Sequence, residues 1–346
     1  MRVLYYILIL ALTVCCYAQE GQFSQYYASG PILNPAFIGT NPNISLTSNY
    51  KRTGSKSNDS FLELMQATVS YPFKKKTSRD FQIGAAGITF WKESRGFQGL
   101  YTAQKLLFTG AYSIKFSRLS NQRLIFGLQG GMVQNQLDGS TLEWGSQFSR
   151  YIGLDQDTRA GESIGTAPIL FPTFNFGVIY STFDNDNYFV RDKSLLVGVS
   201  ADYLNEPSLK QDGLGIATRS RIFRAFGYAN FNLAPRLAIF PSGYVLYSDG
   251  NNQINAGMYL STLVSAPRAY NAVTLQVGAW YRVDDSVILL AGLKHNELRL
   301  GISADLNATS FDVNQALGSS LPSYEISLTY NLDLSQTYSN VSSPIF

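Results

Sequence analysis

Few residues in this chain have the types and spacing that chemistry needs. Gly161-Glu162-Ser163-Ile164-Gly165 fits the G-x-S-x-G pattern of a nucleophile elbow, in which a serine on a sharp strand-to-helix turn attacks a carbonyl. Such a serine needs a base, and the chain has one histidine, His295. The surroundings of Ser163, DTRAGESIGTAPIL, give neither the strand before it nor the helix after it, and His295 lies in GLKHNELRL, where a tight turn is expected. Asp184, Asp186 and Asp192 in FDNDNYFVRDK have the acidity of a calcium loop but lack its sixth-position glycine and closing glutamate. Asx turns account for them more simply. Lys74-Lys75-Lys76 reads as a solvated basic turn, and a net charge of +3 gives no reason to expect nucleic acid as a partner. The expectation is a protein with no catalytic residue, no metal ligand and no cofactor.

The first residues, MRVLYYILILALTVCCYAQ, hold one arginine, an apolar run from Val3 to Val14 and small residues before Gln19. This is the pattern of a secretory signal peptide cut after Ala18, and the run is shorter than the roughly 20 residues that a membrane-spanning helix needs. Cys15 and Cys16 are expected to leave with it; a lipoprotein with Cys15 or Cys16 lipidated is the rival reading, but the residues before them, Val14 and Cys15, are not the small Gly, Ala or Ser that precede such a cysteine. A mature chain without cysteine, exported to an oxidising compartment, has neither a disulfide framework nor a thiolate metal site.

The elements that position everything else are strands. In KLLFTGAYSIKF, Leu106, Phe108, Tyr112, Ile114 and Phe116 fall on one face, while Lys105, Thr109, Ser113 and Lys115 fall on the other. QRLIFGLQGGM and ELRLGIS repeat that two-residue alternation. Segments of this kind are expected at 44–51, 61–72, 81–92, 102–117, 121–136, 170–182, 193–203, 220–232, 236–248, 254–264, 271–283, 286–294, 297–305 and 324–332. Many exceed the five or six residues usual in soluble strands and reach the nine to eleven of a tilted transmembrane strand. Hydrocarbon offers no hydrogen bonds, so such a sheet must close. The fold expected is therefore all-β, a transmembrane antiparallel β-barrel of about 14 strands in the outer membrane, in contact with its lipid. A secreted sandwich is the soluble alternative. Tyr244 and Tyr247, and Tyr324 and Tyr330, stand near segment ends, where an interfacial aromatic girdle would lie. With both termini at the periplasmic face, the longest connections, 137–169 and 306–323, fall outside. Gly127, Gly130 and Gly131 lack the strand-to-helix context of a phosphate loop; they would let the strand bend or let something pack closely inside.

One stretch is left over, QFSQYYASGPILNPAFIGT at residues 22–40. Pro31 and Pro35 hold it extended or in turns, and Phe23, Tyr26, Tyr27 and Phe37 need apolar cover, which the barrel mouth could supply. Here the chain resembles the PorP/SprF family of outer-membrane proteins linked to type IX secretion in Bacteroidota. The resemblance is centred on Asn34, Pro35, Ala36, Phe37 and Gly39. GLQGGMVQNQLDGSTLEWG, LLVGVSADYLNEP, RLAIFPSGYVLY and the closing SYEISLTYNL resemble the family too. The tail DLSQTYSNVSSPIF departs from it, since it moves Phe346 well past the last strand.

The resemblance implies binding and not catalysis. Its expected partners are type IX secretion components and one cognate large secreted surface protein, an adhesin exported or anchored with the barrel's help, in some cases in connection with gliding motility. Loops 137–169 and 306–323 would receive that partner. The expected layout is a signal peptide (1–18), an N-terminal periplasmic plug segment (19–43), the barrel (44–332) and a C-terminal tail (333–346). A FadL-like channel for a hydrophobic or small solute is the alternative.

Overall fold

A computed structural model describes residues 21–54, 60–75, 81–116, 122–138, 145–149, 151, 153–154, 167–183, 194–211, 215–234, 236–264, 273–307 and 323–332. The expected signal peptide, the G-x-S-x-G stretch, the Asp184–Asp192 cluster, the tail and most of loops 137–169 and 306–323 lie outside the described residues. The strands are β1 (Ile44–Gly54), β2 (Ser60–Lys75), β3 (Phe81–Phe97), β4 (Tyr101–Lys115), β5 (Arg123–Leu137), β6 (Phe148–Ser149), β7 (Gly153–Leu154), β8 (Ile169–Phe183) and β9 (Ser194–Asp202). They continue with β10 (Ser208–Gln211), β11 (Gly215–Thr218), β12 (Ile222–Ala234), β13 (Leu237–Ser248), β14 (Asn251–Leu263), β15 (Val273–Arg282), β16 (Ser286–His295), β17 (Leu298–Asn307) and β18 (Ser323–Leu332).

Fourteen of these form one closed antiparallel barrel, in which β1 pairs with both β2 and β18. All fourteen expected segments are barrel strands. The four short strands are additions: β6–β7 and β10–β11 are small hairpins within two of the connections and belong to no barrel ladder.

The barrel is apolar outside and polar inside. Leu106, Phe108, Tyr112, Ile114 and Phe116 are exposed, while Lys105, Thr109 and Ser113 between them are buried. Around the ring Asn49, Gln66, Thr89, Gln129, Asn175, Asn255 and Thr329 are buried, and Leu46, Val69, Ile88, Leu128, Phe174, Val199 and Ile326 are exposed. A soluble protein cannot leave such an apolar belt in water; hydrocarbon is the solvent that suits it. Leu128, 66% exposed in mid-strand, tests this. Leu128→Arg is expected to destabilise the barrel by about 2–4 kcal/mol, the range for arginine near the bilayer midplane, in reversible unfolding from lipid vesicles.

The girdle expectation needs one correction. Tyr247, Tyr324 and Tyr330 do face outward, but Tyr244 is only 4% exposed and points into the lumen. Three residues apart on a strand is an odd step, so Tyr244 and Tyr247 must take opposite faces.

Both ends of the strand series lie at one rim, where Ile44 pairs with Leu332. Connections at that rim run to at most ten residues, 184–193 being the longest; the other rim has short turns such as 249–250 and 283–285 but also the long connections 138–168, 203–221 and 308–322. In outer-membrane barrels the rim with short turns faces the periplasm and the rim with long loops faces outward.

Candidate functional site

Inward-facing side chains enclose residues 21–43. The local structure follows from two prolines. Pro31 opens a single α-helical turn, Gly30–Leu33, and Asn34 is forced into extended backbone (φ −158°, ψ 124°) by the proline after it. Pro35 then opens a 3-10 turn, Pro35–Gly39. The Asn34 Oδ1 accepts the Ala36 N–H at 2.9 Å, capping that turn.

Asn34 also ties the segment to the wall. Its Nδ2 donates to the carbonyl oxygens of Val178 (3.2 Å) on β8 and Val199 (2.8 Å) on β9. Nearby, Ser200 Oγ donates to the Leu33 carbonyl at 2.7 Å, and Gln129 Nε2 reaches the Pro31 carbonyl at 3.3 Å. The wall makes room with two glycines that face each other in register, Gly127 on β5 and Gly177 on β8. A Cβ on Gly127 would stand 2.6 Å from Ala36 Cα, and one on Gly177 would stand 2.6 Å from Asn34 Cγ. The segment thus lies in a slot that only glycine leaves open. This is the close approach from inside that Gly127 suggested; Gly177 completes it.

The segment's aromatic rings enter a cluster of inward rings. Tyr26 stacks on Tyr244 (5.2 Å between centroids), Tyr27 on Trp280 (5.8 Å) and Phe37 on Phe226 (5.1 Å). The Tyr26 hydroxyl donates to Ser242 Oγ at 3.0 Å, which also accepts from Trp280 Nε1 at 2.9 Å. Burial pushes the Tyr26 and Tyr27 phenols well above their ordinary value, so both stay neutral.

Toward the outer rim the contacts become ionic. Glu325, fully buried, accepts the backbone N–H groups of Ser24 (2.6 Å) and Gln25 (3.0 Å). Asp305 accepts Ser24 Oγ at 2.6 Å and Lys51 Nζ at 2.9 Å, with Arg282 at 3.5 Å. At the inner rim Gln82 Nε2 donates to the Asn41 carbonyl at 3.0 Å. The segment therefore runs the depth of the lumen, with residues 21–25 toward the outer rim and Asn41 at the inner one. This is deeper than the mouth contact expected from the residues.

Asn34, Pro35, Ala36, Phe37 and Gly39 come together at the wall of β4, β5, β8 and β12. Reading the residues overlooked Gly177, Glu325, Asp305, Lys51 and Arg282. A signal for the charged ones existed, because each lies at an inward position of a barrel strand, where ionisable side chains are costly without partners. The connection 203–221 was overlooked as well. It is anchored by Tyr203, whose ring lies 5.2 Å from Lys105 Nζ and 5.0 Å from the Arg219 guanidinium, with the Tyr203 N–H given to Asn175 Oδ1 at 3.0 Å. His295 ends β16, next to the turn expected there, and is exposed.

Asn34→Ala removes one capping acceptor and two donors. It is expected to loosen residues 30–40 by about 2–3 kcal/mol, given about 1 kcal/mol per neutral hydrogen bond, seen as faster amide exchange there with the barrel strands unchanged. Asn34→Asp should loosen them further, since it sets a carboxylate against two carbonyl oxygens.

The sequence model of the family described as type IX secretion system membrane protein PorP/SprF matches residues 16–330. No curated protein matches the chain. Among solved structures, a Pseudomonas aeruginosa FadL homologue is 14% identical over 87% of this chain and 93% of its own, with a TM-score of 0.45. The Pseudomonas putida toluene transporter TodX is 10% identical over 90% and 93%, at 0.41. The translocator domain of autotransporter NalP from Neisseria meningitidis is 11% identical over 83% and 87%, at 0.38. All three scores lie below 0.5, and the barrel architecture rests on the strand ladder itself.

Proposed function

The chain belongs to the type IX secretion system membrane protein PorP/SprF family, and on that premise we propose that it is a plugged outer-membrane barrel serving one secreted surface protein. It assists the export or surface anchoring of a cognate adhesin, in connection with gliding motility where the cell glides. Residues 19–43 are the plug, 44–332 the barrel and 333–346 a tail outside it. The partner is received at the outer rim by loops 137–169 and 306–323, to which 203–221 is added.

One observation carries this reading. The lumen holds a segment hydrogen-bonded to β1, β3, β5, β8, β9, β13, β17 and β18, and that favours a binding device over an open pore. Affinity purification of the tagged barrel from its native outer membrane in mild detergent tests it. Recovery of one large surface protein or of type IX components is the expected result, and recovery of the barrel alone after crosslinking rejects it.

A FadL-like channel is the second reading, because a gate would also occupy the lumen. Deleting residues 22–33 separates the two. In the partner reading the deletion weakens barrel stability and partner recovery; in the channel reading it raises solute uptake without changing any partner. Unchanged stability and unchanged partner binding would count against the plug.

A further inference from the structure

The outer half of the lumen is not completely filled. Between the N-terminal segment and the wall lies a cavity of about 170 Å³, lined by both. Its floor and sides are mostly apolar, with Phe23, Leu33, Trp91, Ile222, Leu246 and the Tyr26 and Tyr244 rings; Ser29 and Arg224, which is paired with Asp202, are the buried polar side chains among them. Its rim is polar and comes from the outward connections, with Thr218, Arg219 and Ser220 on one side and Ser248, Asp249 and Asn251 on the other. Thr218 and Asp249 are exposed, so the cavity opens at the outer rim.

The volume decides what fits. An apolar cavity of about 150 Å³ accommodates one benzene ring, so this one takes a single aromatic ring and nothing much larger. Its walls offer ring faces for stacking, and the Arg219 guanidinium, already 5.0 Å from the Tyr203 ring, stands where a second ring would meet a cation. Arg219, Ser220, Ser248 and Asn251 supply the donors and acceptors that a peptide backbone needs as it crosses the rim. A buried ring surrounded by polar contacts is the usual form of an energetic anchor at a protein interface.

We propose that this cavity receives one aromatic side chain of the secreted partner, inserted from outside against the plug. The assignment rests on the partner reading above and gives it a location. It also places the plug in the binding site, since Phe23, Tyr26 and Leu33 form its floor.

Two measurements on the intact barrel test it. The first uses 4-fluorophenol as a ring probe on purified protein in detergent, followed by fluorine NMR. Saturable binding is expected in the wild type, and binding at least about tenfold weaker in Leu246→Trp, which fills the cavity, a loss equal to 1.4 kcal/mol. Equal binding in the two proteins overturns the proposal. Arg219→Ala leaves the strand ladder untouched and serves if Leu246→Trp fails to fold; weaker probe binding supports the site, and unchanged binding counts against it. The second measurement is recovery of the surface partner with each variant. Loss of the partner from a folded, cavity-filled barrel supports the proposal, and undiminished recovery overturns it. If the wild type binds the probe but recovers no partner, the partner reading itself fails and the occupant is a free aromatic molecule, which also overturns the assignment to a side chain.

Discussion

Gly127→Val, and separately Gly177→Val, is expected to drive residues 30–40 off the barrel wall while the fourteen-strand ladder stays intact. The added methyl groups would collide with backbone and side-chain atoms of Asn34, Pro35 and Ala36, not with the free end of a flexible chain. The segment cannot yield by a rotamer change, because Asn34 is bound to two strands and the prolines fix the backbone on either side of it. Overpacking of this kind costs about 1–3 kcal/mol per site, and about 3 kcal/mol shifts a docked segment toward release more than a hundredfold. The strand itself pulls the other way. Valine is a better strand residue than glycine by about 0.5–1 kcal/mol, which offsets only part of the stability that the barrel loses with the segment's contacts. Limited proteolysis of residues 21–43 and planar-bilayer conductance should both increase. Gly110→Val is the control, since nothing lies within 4 Å of a Cβ there. If both glycine variants keep the segment protected and the conductance low, the slot does not hold the segment in place.

Asp305→Ala should have the largest effect on stability. Asp305 is the shared acceptor of Lys51, Arg282 and Ser24, and its loss leaves Lys51 buried beside Arg282 without its nearest counter-charge. Removing one partner of a buried ion pair typically costs about 3–5 kcal/mol, mostly through the charge left behind. The expectation is a loss of that size in unfolding from vesicles, with residues 21–28 becoming protease-sensitive first. Replacing both ends, as in Lys51→Met with Asp305→Leu, should recover much of it. A double-mutant cycle that shows no coupling between positions 51 and 305 would reject the account. Glu325→Ala should act differently, freeing the N–H groups of Ser24 and Gln25 and loosening the segment more than the barrel.

The strands were legible in the sequence for a simple reason. A side chain's face is set by parity along a strand, and in a membrane barrel one face meets hydrocarbon over nearly its whole length. KLLFTGAYSIKF therefore shows its outward residues directly, and the closing strand SYEISLTYNL shows the same alternation. Residues 22–40 could also be recognised as a separate segment, from two prolines and four aromatic rings that fit no strand pattern.

Where that segment goes was decided only by closure of the barrel. Gly127 and Gly177 lie on β5 and β8, which pair with each other in the barrel, and Asn34 meets Val178 and Val199 across more than 140 residues. Glu325 reaches Ser24 only because β18 returns to pair with β1. No local pattern encodes these meetings, since each depends on which strands become neighbours and on the level at which their registers align inward residues. Sequence parity determined the inside and outside of the wall; the tertiary fold decided which inward residues face the same point in the lumen, and so what the lumen holds.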